Sequence, residues 1–410
     1  VRRKTGAAGP RSASSWLFIA LLILASAFVA WRVVRSSAAD ALIKSNPVAV
    51  AVVAPDDTRL PLMLAMREFQ LTGGRVRPQL RKAATEALGR APLADEPFFL
   101  AGMMALLDGD QARAERLLIE ARRRNPRSRY VRLILLDRYL RSGKIVDATT
   151  EMNAIASLIP NSNKVLNGEL ARLAQTPATA SALIQALKRT PDPRDPLLEH
   201  LAETGADPDL IMRIAREVPA KQRSPGSAAW QAKLVESLVN RGQVDRAYQL
   251  WRTFSNPRAP TRKEGLFDPN FQGLPGLPPF NWYYPETSAG AAERSAGGLQ
   301  IDYYGRDDAE LAGQLLMLAP GRYRLSFVAE GTADGESSRL GWKMECLQSK
   351  ASLGEFMLKK VDYSARRRVA EFTIPPQGCS AQRLRLIGTS GEFAKPQNAT
   401  IRGLSLSRAP

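Results

Sequence analysis

EPFFLAGMMALLDGDQARAERLLIEARRRNP, residues Glu96–Pro126, decides the fold of the middle of this chain. Its Gly109 and Pro126 recur 34 residues later as Gly143 and Pro160, and Pro92 stands 34 residues before Pro126. Leu80, Ala114 and Ala148 keep the same interval. Between glycine and proline, Ala114, Leu117, Leu118 and Ala121 fall at i, i+3, i+4 and i+7, one face of a helix. Leu80, Ala83, Ala84 and Ala87 repeat that spacing one unit earlier. A fixed period of this length marks stacked helical repeats. Glycine permits the tight turn between two antiparallel helices, and a small residue one turn later lets their backbones approach. Proline ends the second helix because it cannot continue the hydrogen-bond ladder.

Phe98, Gly102, Gly109, Ala114, Leu118, Ala121 and Pro126 follow the spaced pattern of tetratricopeptide repeats, which this stretch resembles. The next unit keeps Leu135, Tyr139, Gly143, Ala148 and Pro160 but carries Leu136 where a small residue is usual. Trp230, Leu234, Leu238, Gly242, Ala247 and Trp251 look like a further unit. Residues 161–225 keep helical patterning, while Pro177, Pro191, Pro193 and Pro196 break the register, so degenerate helix pairs are expected there. The resemblance covers residues 60–256. It implies a solenoid whose concave surface holds a protein partner and which has no chemistry of its own. The basic run Arg122, Arg123, Arg124, Arg127, Arg129 and Arg132 has two readings. Its first members suit the negative end of a helix dipole, and the run as a whole suits an anionic polymer or phosphate headgroups.

Outward toward the N-terminus, residues 1–35 hold six basic and no acidic side chains, in a chain of net charge +18. After Arg2, Arg3, Lys4 and Arg11 an uncharged run extends from Ser12 to Trp31, its apolar part bounded by Trp16 and Trp31. Tryptophan prefers the two membrane interfaces, and residues 16–34 span a bilayer if Arg32 snorkels to the headgroups. Basic flanking charge predicts residues 1–15 in the cytoplasm, a linker at 35–59, and the bulk of the chain outside. A cleaved signal peptide is the rival, since Ala25-Ser26-Ala27 and Ser37-Ala38-Ala39 resemble cleavage sites. Export makes nucleic acid an unsuitable partner for the basic residues.

Toward the C-terminus the composition changes at Asn256. Prolines 257, 260, 269, 275, 278, 279 and 285 interrupt the chain, with Phe267, Phe271, Phe280, Trp282, Tyr283 and Tyr284 among them. So many aromatics predict a lead-in (257–285) docked on a core, not a free linker. Over 286–410 short β-prone runs follow: Leu299–Tyr304, Gln314–Leu318, Tyr323–Ala329, Leu340–Leu347, Glu355–Leu358, Val369–Ile374, Arg383–Ile387 and Thr400–Ser407. Eight strands at this spacing predict a β-sandwich. The only cysteines, Cys346 and Cys379, both fall in it, and in an exported chain they read as one disulfide.

The aromatic lead-in, the turn-strand Pro320-Gly321-Arg322-Tyr323-Arg324-Leu325 and the closing strand Ile401–Leu406 resemble the galactose-binding-like jelly rolls common among carbohydrate-binding modules. The whole layout looks like bacterial membrane-anchored repeat proteins associated with exopolysaccharide production. That likeness implies a periplasmic scaffold held by a single span in the inner membrane, binding or sensing polysaccharide. Sugar recognition needs aromatic faces and planar polar groups, for which Trp282, Tyr283, Tyr284, Tyr303, Tyr304, Trp342 and Arg306 are the candidates. Alternation along a strand buries one ring of each adjacent pair, and Trp282 is equally suited to plugging the sandwich. No nucleophile elbow, phosphate loop or dinucleotide motif is present. His200 is alone between Glu199 and Glu203, which is not a metal-ligand spacing. Neither metal nor cofactor is expected, and a hidden carboxylate pair is the one enzymatic alternative. The expected fold is therefore multidomain: a transmembrane helix, an all-α tetratricopeptide-like solenoid and an all-β jelly-roll sandwich.

Overall fold

Glycines in left-handed turns and prolines at helix ends set the helix boundaries in this chain. The computed structural model describes residues 13–43, 45–57, 59–73, 76–90, 93–220, 229–255, 265–274, 276–296, 298–333, 335 and 337–409, and among these are fourteen helices and nine strands. The basic residues 2–11, Pro92 and the prolines at 257, 260 and 275 lie outside the described residues. Two compact units divide at Asn163 and Lys164, inside the stretch expected to be one solenoid.

The first unit opens with α1 (Ala13–Leu42) and the short α2 (Pro47–Val53). Three antiparallel pairs follow: α3 (Leu60–Thr72) with α4 (Pro78–Arg90), α5 (Glu96–Leu107) with α6 (Gln111–Arg124), and α7 (Arg129–Arg141) with α8 (Ile145–Leu158). Gly109 (φ +79°) and Gly143 (φ +69°) make the turns inside the second and third pairs, a conformation that costs other residues a Cβ clash. Pro126 and Pro160 each stand two residues beyond a helix end. Ala114 is fully buried, and a methyl group added at Gly102 would lie 3.0 Å from Leu118 Cγ, so α5 and α6 are in close contact. Ala20–Leu42 of α1 is long and apolar enough to cross a membrane, with mean hydropathy 1.5.

The second unit holds six more helices, α9 (Asn163–Gln175), α10 (Pro177–Arg189), α11 (Arg194–Glu203), α12 (Pro208–Glu217), α13 (Ala229–Asn240) and α14 (Val244–Phe254), of which α11 packs on α12 and α13, and α13 on α14. Prolines here begin helices and do not interrupt them. Pro177 and Pro208 occupy first helical positions, where the missing N–H has no partner to lose. A single residue, Thr176, separates α9 from α10, which is why the 34-residue register fades.

Beyond α14 the lead-in is ordered by aromatic contacts on both sides. Trp251 of α14 meets Phe267 at 5.2 Å and Phe280 at 5.6 Å, and Trp282 meets Trp342 of the sandwich at 5.8 Å. The Trp282 indole N–H donates to the Asp268 carbonyl at 3.0 Å, and the buried Gln314 amide bonds both the N–H and the C=O of Phe267. The sandwich comprises β1 (Gly290–Ser295), β2 (Gly298–Tyr303), β3 (Ala309–Leu316), β4 (Gly321–Gly331), β5 (Arg339–Cys346), β6 (Ser352–Met357), β7 (Arg366–Ile374), β8 (Gln382–Thr389) and β9 (Gln397–Arg408). One sheet runs β1-β2-β9-β4-β7 and the other β3-β8-β5-β6, all antiparallel, a jelly-roll order. Tyr323, Leu325, Phe327 and Ala329 point inward from β4, facing Trp342, Leu384 and Leu386 in a single core. Cys346 and Cys379 are bonded, their Cα atoms 5.2 Å apart. Only β1 lay outside the strands expected from sequence.

Candidate functional site

Strand parity sorts the aromatic candidates. Trp282, Tyr303 and Trp342 are buried in the sandwich core, so their rings present no face to a ligand. Tyr304, one residue on from Tyr303, is exposed together with Arg306 in the β2–β3 loop. Tyr284 is half-buried with the Arg294 guanidinium 6.0 Å from its ring, and burial pushes its phenol up to about 12.

The basic run is largely consumed within the repeats. Arg122 bonds Glu151, a fully buried carboxylate that Arg132 also holds at 2.7 Å. Arg123 and Arg124 both pair with Glu120 at 2.6 Å, and the Arg124 guanidinium lies 3.6 Å from the Phe98 ring centre. Arg127 and Arg129 are exposed. Four of the six arginines in the run, Arg122, Arg123, Arg124 and Arg132, therefore serve helix packing and local charge balance.

The remaining candidate, Tyr283, lies at the mouth of a crevice of about 700 Å³ beside the sandwich. Its backbone forms an antiparallel bridge with Gly313 of β3, so the lead-in adds a short rung to the four-stranded sheet. A side chain at 313 would collide with the Tyr283 ring, which covers the bare glycine. One wall of the crevice is α13, through Ala232, Glu236, Val239 and Asn240. The other is built from the prolines 278, 279 and 285 with Tyr283, and from the outward residues Glu310, Leu315 and Arg383 of β3 and β8. The Tyr283 hydroxyl donates to Glu310, whose second oxygen accepts from Arg385 Nη1 at 3.2 Å. Arg385 Nη2 donates in turn to Glu345 at 2.7 Å. Burial and the bond to Glu310 hold the Tyr283 phenol far above the usual tyrosine range, so it stays a donor.

Chemically, the crevice offers apolar C–H surface from prolines and leucine, an aromatic edge, and planar polar groups in Asn240, Arg383 and the two carboxylates. That combination suits a ligand with alternating apolar faces and hydroxyl groups. Apart from Tyr283, none of its residues is marked as a ligand contact by the sequence, because Glu236 and Glu310 belong to elements far apart in the chain. Outward Arg383 was visible in the alternation of β8, though nothing there tied it to α13. Among the described residues no three His, Cys, Asp or Glu side chains converge as a metal site.

A second surface lies at the loop end of the sandwich. Ser338 Oγ donates to Gly305 O at 3.1 Å and accepts from Lys395 N at 3.1 Å, while Ser390 donates twice to Asp308 at 2.7 Å. These bonds hold the β2–β3, β4–β5 and β8–β9 loops together. The first carries Tyr304 and Arg306, and the third carries Phe393, which is 74% exposed.

By fold, then, this is a chain of helical repeats followed by a jelly roll. No family model and no curated protein matches it. Among solved structures it is similar to a CBM4 structure (13% identity, TM-score 0.25, covering 32% of this chain and 88% of that one). It is similar also to TmCBM61 in complex with β-1,4-galactotriose (12%, 0.23, 31% and 88%). A MamA mutant is similar over 40% of this chain and 96% of its own, at 17% identity and TM-score 0.28. At such scores these likenesses bear on no functional residue.

Proposed function

We propose that the chain is a non-enzymatic, membrane-tethered scaffold of the bacterial envelope, whose repeats hold a protein partner and whose sandwich binds polysaccharide. In this reading α1 stays in the inner membrane with its N-terminus cytoplasmic, and the repeats and sandwich stand in the periplasm. The observation that carries the sugar-binding part is the crevice between α13 and the outer face of the β3–β8 sheet. Its size fits a few sugar rings, and its lining pairs C–H surface with fixed hydrogen-bonding groups. Glu310, held from both sides by Tyr283 and Arg385, is pre-organised as an acceptor for hydroxyl groups.

One feature favours a second reading. Glu236 and Glu310 line the same crevice from different elements, and a carboxylate pair is what glycoside hydrolysis needs. Against it, both Glu310 oxygens already accept hydrogen bonds from within the fold, one from the Tyr283 hydroxyl and one from Arg385 Nη1.

Affinity electrophoresis of the full chain in detergent, through gels containing neutral or anionic polysaccharides, tests the proposal. Retardation by at least one polysaccharide is expected, lost in Arg383→Ala and kept in Tyr304→Ala. The reverse pattern would move the site to the loop end. No retardation by any exopolysaccharide would leave a protein adaptor, and release of reducing ends abolished by Glu236→Gln would establish the enzyme.

A further inference from the structure

Helix α2 has the sequence PVAVAVV, without one polar side chain. Val50 packs with Ala39 of α1 and with Ile43 just beyond its end, Ala54 and Leu60 close a small core, and Pro47 is also buried. The side turned away from Val50, which carries Val48 and Val52, is equally apolar and is exposed among the described residues, as is Val53 at the end of the helix. Val48, Val52 and Val53 are 51%, 83% and 40% exposed. A helix that is apolar all round belongs in a buried or lipid environment.

Its position says which. The Arg35 guanidinium donates to the Val53 carbonyl at 3.1 Å, eighteen residues on, so α2 runs antiparallel to the end of α1 and back toward its apolar part. The end of α2 thus comes level with Arg35, which follows Val33 and Val34 of α1, both exposed. Around this level Arg35 pairs with Asp56, and Arg59 pairs with Asp57 at 2.7 Å and Asp40 at 2.6 Å. Paired charges flanking exposed valines at the end of an apolar helix fit the boundary between headgroups and acyl chains.

We propose that α2 is an interfacial arm whose Val48, Val52 and Val53 insert into the surface of the bilayer that α1 crosses, fixing the depth and tilt at which the repeats leave the membrane. This rests on α1 being a retained span. The two are separable by spin labelling of the full chain in phosphatidylcholine–phosphatidylglycerol liposomes, because both native cysteines are bonded to each other. Nitroxides are placed singly at Val52→Cys, at Val29→Cys within the span, and at the exposed Ala112→Cys in the repeats. Collision with oxygen relative to a water-soluble nickel chelate should be severalfold higher at positions 52 and 29 than at 112. A lipid signal at 29 with a water signal at 52 overturns the arm and leaves the span intact. A water signal at 29 removes the span and the arm with it.

Discussion

Ala114 tests the repeat register at the level of one methyl group. It is fully buried in α6 near Gly102 of α5, whereas Ala112, two residues earlier, is exposed. Ala114→Leu must separate the helices or adopt a strained rotamer, at about 1–3 kcal/mol. Ala112→Leu should stay within about 0.5 kcal/mol. Thermal melts of the whole chain should show a clear drop for the first and none for the second. Equal tolerance would mean that the α5–α6 contact is wrong. Tyrosines offer a second test. Burial, with Asp308 and Asp307 nearby, pushes Tyr303 up to about 12, and burial does the same for Tyr284. A raised folded value means that these phenols stabilise the fold fully below the ordinary tyrosine pKa of about 10. That contribution is lost as pH rises from there through about 12. Phenolate absorbance should therefore rise in two stages, the later one together with loss of near-ultraviolet dichroism. A single stage at the ordinary tyrosine value would contradict the burial. The site residues were legible only in part for a related reason. Alternation says that one of Tyr303 and Tyr304 is buried, but both are aromatic, so the pattern alone does not choose between them.

At the scale of elements, glycine and proline chemistry made the helix pairs readable, while the loss of a fixed period hid the short α9–α10 turn. Strand runs rich in branched and aromatic residues stood out, and their tyrosines, leucines and phenylalanines form the core. β1 did not, because GAAERS has neither strong β-formers nor alternation, and it is an edge strand whose one neighbouring strand is β2. Cys346 ends β5 and Cys379 precedes β8, its neighbour in the sheet, so the disulfide closes 33 residues that include β6 and β7. In the chain-entropy model that closure stabilises the sandwich by roughly 3–4 kcal/mol. The double variant Cys346→Ser, Cys379→Ser should unfold at correspondingly lower denaturant when followed by tryptophan emission. A midpoint equal to that of the oxidised chain would show that the link constrains nothing.

For the whole molecule, the sequence divides into an apolar N-terminal stretch, repeats and a sandwich, and the two compact units meet inside the repeats. Helices α9–α14 belong to the same unit as the jelly roll, joined to it through Trp251, Phe267, Phe280 and Trp282. A boundary drawn at the proline-rich stretch follows composition, whereas aromatic contacts cross that stretch and join α14 to the lead-in and the sandwich. The crevice exists because of this junction: neither α13 nor β3 could form it alone. Hydrogen exchange of the full chain, with and without the polysaccharide that retards it, is the most direct test of the central claim. The account predicts slowed exchange in peptides covering both α13 and β3. Protection confined to the β2–β3 and β8–β9 loops, or absent from α13, would contradict it.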